Sequence, residues 1–181
     1  MKPLIAAHLA CPADSITLRR DERGRPWLQC PRPDWDANWS HSGDYLLLGL
    51  THGRRLGVDI ELKRPIQQCL PLAERFFHPS EVALLQATPA AERWNLFFRL
   101  WCAKEALLKA CGCGIGFGLH RLTFTLATSG LRLTACDPKL GRPWHWQIRQ
   151  WTPLPGYQAA IAYTASTPQS ERLPGDADII A

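Results

Sequence analysis

The chain has a single methionine and three tyrosines among 181 residues. It contains no apolar run near the roughly 18 residues that a membrane-spanning helix requires. Its start, Met1-Lys2-Pro3-Leu4-Ile5-Ala6-Ala7-His8, has one lysine ahead of an apolar stretch too short for a secretory signal. A membrane partner is therefore disfavoured, and cytoplasmic residence is the default expectation. A basic stripe with interleaved aromatics is also missing. Net charge is +5, but the arginines are dispersed, which disfavours nucleic acid as a partner. Seven cysteines are scattered at 11, 30, 69, 102, 111, 113 and 136. An odd number without a secretory signal argues against a disulfide framework. Cys111-Gly112-Cys113 lacks a second ligand pair at zinc-like spacing, so small buried thiols are expected.

What is present fits a globular protein. Hydrophobic residues make up 46% and charged residues 20%, in a chain long enough for one or two lobes around a real core. Residues 4–9 read as the end of a helix broken by Pro12-Ala13-Asp14, and residues 15–19 alternate as a strand. A turn at 21–26 lets 27–30 pair back on it. Residues 31–38, rich in Pro and Asp, read as loop. Residues 44–50 and 55–62 are two strands around the turn signal His52-Gly53-Arg54, which predicts a hairpin between them. Helices are expected over 68–78, then from the cap residue Ser80, and most strongly over 91–111. In the last, Leu96, Leu100, Ala103 and Leu107 form an apolar stripe, widened by Phe97, Trp101 and Leu108. Four glycines from 112 to 118 end it. Strands follow at 122–126, 131–134, 144–148 and 158–163, and residues 166–181 have the composition of a disordered tail.

Two segments carry chemistry. In Gly57-Val58-Asp59-Ile60-Glu61 the apolar residues Leu56, Val58, Ile60 and Leu62 point one way and Asp59 and Glu61 the other. The two acids project together about 6.5–7 Å apart. They repel unless a cation lies between them, and magnesium suits oxygen ligands and phosphate substrates. The plain alternative is a solvated acid pair at a strand end. In Trp101-Cys102-Ala103-Lys104-Glu105-Ala106-Leu107-Leu108-Lys109, Glu105 and Lys109 stand one helical turn apart. That order also suits an ordinary surface ion pair. Together the segments suggest a divalent cation, a phosphate-bearing substrate and a proton transfer. Ser40-His41-Ser42 in a loop and Gly24-Arg25-Pro26 in a turn are weaker signals of anion binding.

In order, these pieces resemble the motif set of the 4′-phosphopantetheinyl transferases of the surfactin-synthetase-activator (Sfp) type. The resemblance rests on Gly24-Arg25-Pro26, Asn38-Trp39-Ser40-His41-Ser42, Gly57–Glu61, Arg75-Phe76-Phe77 with Glu81, Trp101–Lys109, and Pro155-Gly156-Tyr157 with the strand after it. It implies an α+β fold, a pseudo-dimer of two α/β halves. Residues 1–53 would be a shortened first lobe, 54–165 a complete catalytic lobe, and 166–181 the tail. The implied activity moves the phosphopantetheine arm of coenzyme A to a serine of an apo acyl or peptidyl carrier protein, releasing adenosine 3′,5′-bisphosphate. By position, Asp59, Glu61 and Glu105 resemble the magnesium ligands. Glu105 resembles the base for the serine proton, and Lys109 the group that neutralises the leaving phosphate. Lys104 resembles a further phosphate-facing cation, and His41 and Arg25 the contacts to the nucleotide end. Two other readings stay open: a non-catalytic relative that binds coenzyme A or a carrier protein, and a magnesium-dependent phosphoester hydrolase. Self-association to recover the lost lobe surface is also open.

Overall fold

A computed structural model of the chain describes residues 1–22, 24–64, 69–128 and 130–165. The tail expected from residue 166 lies outside the described residues. Helix α1 (Lys2–Leu9) ends at Ala10, which takes a left-handed conformation, and a 3₁₀ turn at Ala13–Ser15 leads into β1 (Thr17–Arg20). Strand β2 (Pro26–Gln29) pairs antiparallel with β1. Strands β3 (Trp35–Ser42) and β4 (Tyr45–His52) pair along their full lengths. Ile5, Leu9, Ile16, Leu28, Ala37 and Leu50 make a small core under these elements.

The rest of the chain builds a larger unit. Strand β5 (Leu56–Leu62) is followed by α2 (Cys69–Phe76), α3 (Pro79–Ala87) and the long α4 (Ala90–Cys111). A hairpin of β6 (Leu122–Ala127) and β7 (Gly130–Cys136) comes next, then β8 (Trp146–Trp151) and β9 (Tyr157–Thr164). Strand β9 lies between β5 and β8, antiparallel to both. Both of its faces are covered, which explains its near-continuous apolar sequence. On one side Val58, Ile60, Tyr157 and Ile161 pack with Leu47 of β4. On the other lies α4, whose Leu96, Leu100, Ala103 and Leu107 are buried in the main core. The mixture of helices and antiparallel sheets is the α+β class expected.

Three local expectations are corrected. The hairpin between residues 44–50 and 55–62 does not form: β4 pairs with β3, and β5 pairs with β9, a hundred residues later in the chain. The segment read as loop up to residue 38 becomes strand at Trp35, so His41 sits on a strand and not in a loop. Asp34 supplies the bend before it at φ 62° and its carbonyl accepts from Gly53 N (2.7 Å), closing the open end of the β3–β4 hairpin. The cap of α3 is His78, not Ser80. His78 Nδ1 accepts from Ser80 N (3.3 Å), while Glu81 Oε2 accepts from His78 N (3.0 Å), a reciprocal arrangement that satisfies two donors of the first turn.

Gly57 fixes how α4 meets the sheet. A methyl group there would overlap the backbone of Ala106 and Ala110. The helix therefore rests directly on β5, and Asp59 and Glu61, on the same face as Gly57, are carried against the face of α4 that bears Glu105 and Lys109.

Candidate active site

Asp59 is buried on β5. Its Oδ1 accepts from Lys109 Nζ (2.7 Å) and from Ser40 Oγ (2.9 Å), and Lys109 Nζ also donates to Ser40 Oγ (2.8 Å). Glu61, further along β5, accepts from Ser42 Oγ (2.9 Å). Lys109 thus pairs with the strand acid and not, as a surface pair would, with Glu105 one turn away. Glu105 is buried, and its Oε1 has no hydrogen-bond partner; Asp59 Oδ2 has none either. The thiol of Cys102, beside Asp59, donates to Gln158 O (3.6 Å).

The electrostatics follow from three carboxyls and one lysine in a partly closed space. Burial pushes the Asp59 carboxyl up, against the opposing pull of Lys109 and Ser40. Burial and then the charge of Asp59 raise Glu61. Glu105 is pushed up to about 7, first by burial and then by Asp59, with Lys109 opposing. Negative charge is in excess, and two carboxylate oxygens lack donors. Buried carboxylate oxygens without partners cost free energy unless a cation or proton meets them. The donors are all oxygen, which fits a hard divalent cation that keeps part of its water shell. Among the described residues, no three acidic, His or Cys side chains are gathered closely enough to form a complete metal cage. Ligation by all three acids would therefore need some side-chain movement.

These residues line a cleft of about 320 Å³ together with Arg20, Trp39, His41, Trp101 and Ile115. Arg20, Trp39 and Lys109 also line an adjoining pocket of about 170 Å³, walled by Gly24-Arg25-Pro26 and Gly112-Cys113-Gly114. The arginine of Arg20 lies over the Trp39 ring, 5.9 Å from its centroid. A larger hollow of about 740 Å³, beyond the glycine loop, has none of the acids in its lining.

The structure brings Asp59, Glu61, Glu105, Lys109 and His41 to one cleft. Two other residues are differently placed. Arg25 walls the adjoining pocket, but its guanidinium is committed: it pairs with Asp36 and donates to the carbonyls of Pro26, Leu56 and Ala110. Its main contacts are internal to the protein, and Arg20 is the more exposed cation of that wall. Lys104 is a correction. Its side chain is 0% exposed, it pairs with Glu81 (2.6 Å), and it donates to Leu119 O (2.9 Å) and Leu122 O (2.5 Å). All three ammonium donors are used in the core, between the rings of Phe77 and Phe124. It has no path to a phosphate.

Sequence reasoning missed the part played by β3. Asp36 Oδ2 accepts from Leu56 N (2.9 Å), Asn38 Oδ1 from Val58 N (3.0 Å) and Ser42 Oγ from Leu62 N (3.0 Å). The polar residues at 36, 38, 40 and 42 recur with period two, the signal of one strand face, and it was there to be read.

Comparison with known proteins agrees with this architecture. A family model described as the 4′-phosphopantetheinyl transferase superfamily matches residues 55–162. A second, described as 4′-phosphopantetheinyl transferase, N-terminal, matches residues 1–52. The chain belongs to the 4′-phosphopantetheinyl transferase superfamily. Among its relatives, the 4′-phosphopantetheinyl transferase HetI of Nostoc sp. is 30% identical over 165 residues, 90% of this chain and 66% of the relative. The 4′-phosphopantetheinyl transferase psf-1 of Bacillus pumilus is 35% identical over 161 residues, 89% of this chain and 66% of its own. The human L-aminoadipate-semialdehyde dehydrogenase-phosphopantetheinyl transferase is 32% identical over 143 residues, 72% of this chain and 46% of its own. The chain thus spans less than two thirds of the length of these relatives. No helix among the described residues is long and apolar enough to cross a membrane.

Proposed function

We propose that this chain transfers the 4′-phosphopantetheine group of coenzyme A to a serine hydroxyl of an apo acyl or peptidyl carrier protein. The observation that carries this reading is the convergence of Asp59, Glu61, Glu105 and Lys109 on one cleft, with Asp59 Oδ2 and Glu105 Oε1 buried and unpartnered. The relatives named as phosphopantetheinyl transferases support it.

In the proposed reaction the serine oxygen forms a bond to the phosphorus that bears the pantetheine arm. The bond from that phosphorus to the oxygen of the nucleotide phosphate breaks, and adenosine 3′,5′-bisphosphate leaves. Glu105 takes the serine proton as general base. Lys109, a third exposed, neutralises charge on the leaving phosphate. Asp59, Glu61 and Glu105 are the residues that would hold a magnesium ion, which supplies charge neutralisation at the pyrophosphate. Ser40 and Ser42 hold Asp59 and Glu61 in place. His41 and Arg20 line the side of the cleft suited to the nucleotide end, with Arg25 bracing the wall behind them.

Incubating the protein with apo carrier protein, coenzyme A and magnesium, then weighing the carrier by mass spectrometry, tests the reading. The expected result is a carrier heavier by one phosphopantetheine group. Glu105→Ala should abolish the gain while leaving the circular dichroism spectrum unchanged. A folded, magnesium-loaded sample that gives no gain overturns the proposal. Equal activity in Glu105→Ala removes Glu105 from the reaction.

A further inference from the structure

A slot separate from the acid cleft runs between β7 and β8. The two strands lie side by side, yet among the described residues β7 is paired only with β6 and β8 only with β9. The space between them has two stretches. One, of about 470 Å³, is lined by Arg99, Gly130, Arg149 and Gln150. The other, of about 670 Å³, is lined by Arg132, Leu133, Trp144 and Trp146. Leu131 and Ile148 line both, so the two stretches adjoin at these residues.

Three features of the slot point to one kind of occupant. First, a strand edge without a neighbour presents backbone donors and acceptors ready to pair with another chain, and here two such edges face each other. Second, the lining of both stretches includes Arg99, Arg132 and Arg149 and no carboxylate. Third, Gln150 donates from Nε2 to Arg99 O (2.6 Å), while its Oε1 is buried without a hydrogen-bond partner. A buried acceptor left open calls for a donor such as a peptide N–H. The floor is apolar, with Leu131, Leu133 and Trp146 buried, and Trp144 stands 64% exposed at the rim.

We propose that the β7–β8 slot docks an extended, acidic segment of a partner protein, which adds a strand along the β8 edge and sets its carboxylates against Arg132 and Arg149. Main-chain pairing supplies affinity in this mode, and side chains of alternate residues supply selectivity. Strand β8 has six residues, so a segment of similar length matches it. The inference rests on the slot alone and stands or falls independently of the transferase reading.

The test uses the full chain and a fluorescein-labelled peptide, Val-Asp-Val-Glu-Val-Asp, followed by anisotropy. Saturable binding is expected, with slowed amide hydrogen exchange along β8. The same peptide N-methylated at alternate residues should not bind. The Arg132→Glu/Arg149→Glu variant, whose two changes lie on exposed side chains, should keep the wild-type melting temperature. It should bind about tenfold more weakly, the effect of two exposed attractions turned into repulsions. Equal binding by the methylated peptide, or no loss in the variant, overturns the proposal. So does a concentration-dependent dimer in sedimentation that the variant abolishes, because the slot would then be an interface between two copies of this chain.

Discussion

Replacing Lys104 by methionine separates a structural lysine from a catalytic one within a single motif. Lys104 lies one residue before Glu105, and proximity in sequence suggests a shared role. In the structure its ammonium is enclosed by Glu81, Leu119 O and Leu122 O. Methionine keeps the length of the side chain and removes the charge. Glu81 is then left as a buried carboxylate, 0% exposed, still accepting from Phe124 N (2.8 Å) and His78 N (3.0 Å). Breaking a buried pair by removing one partner costs about 3–5 kcal/mol. At about 2–4 °C per kcal/mol for a chain of this size, the melting temperature should fall by about 10 °C. Adding Glu81→Gln removes the stranded charge and keeps an acceptor for one of the two backbone donors, so part of the loss should return. Calorimetry reads the stability of the single and double variants, and the carrier-mass assay, run well below both melting temperatures, reads transfer. Stability should fall while transfer by the folded protein stays within about threefold, because Lys104 does not line the cleft. An unchanged melting temperature with transfer lost would refute the reasoning and return Lys104 to the phosphate.

Gly57→Ala should cost about 3 kcal/mol or more, because the added methyl meets the backbone of α4 and not a flexible side-chain end. A urea midpoint equal to that of the unaltered protein would show that the helix does not rest on β5 as described. The raised Glu105 carboxyl predicts a pH dependence in metal-free protein. Its folded value of about 7 lies above the ordinary 4.5, so between these values the folded state holds the proton more tightly than the unfolded chain. Stability should therefore fall as pH rises through this window, and Glu105→Gln should flatten the slope. Millimolar magnesium should raise the melting temperature more at pH 7.5 than at pH 5, since protonated carboxyls do not ligate a cation. The same increment at both values would detach the cation from these carboxyls.

Much of the site was legible because its signals are local. The alternation of residues 56–62 placed Asp59 and Glu61 on one face, and the stripe from Leu96 to Leu107 marked α4, which Gly112 ends at φ 68°. The partner of β5 was not legible, since β9 is a hundred residues away and the nearby turn at 52–54 suggested the wrong neighbour. The start of β3 was hidden by Pro31, Pro33 and Asp34, and its polar alternation looked like loop composition. The position of Lys104 could have been read from helix geometry. At about 100° per residue, Glu105 and Lys109 differ by about 40°, whereas Lys104 lies about 140° from Lys109. Lys104 also falls four residues after Leu100 and four before Leu108, both fully buried. Motif adjacency suggested a shared role, and the helical period contradicts it.

The seam between β3 and β5 explains why the acids meet where they do. Among the described residues no backbone ladder joins these strands; side chains of β3 serve as rungs at Asp36, Asn38 and Ser42. A side-chain rung spans more distance than a direct N–H to carbonyl bond, so the strands are held in register yet kept apart. Ser40 occupies the remaining place in this period-two series and makes a different contact, giving its hydroxyl to Asp59 and receiving Lys109. The polar network that holds the strands together is therefore continuous with the one that orients the acid. Removing one member of such a buried network leaves its partners unpaired at a cost. Loss of Asn38 would leave the buried Val58 N–H without its acceptor, one residue before Asp59, and would loosen the acid without touching it. The side chains that join the two strands also hold the acid, and that is why serine and asparagine stand at positions where an ordinary buried strand would carry apolar side chains.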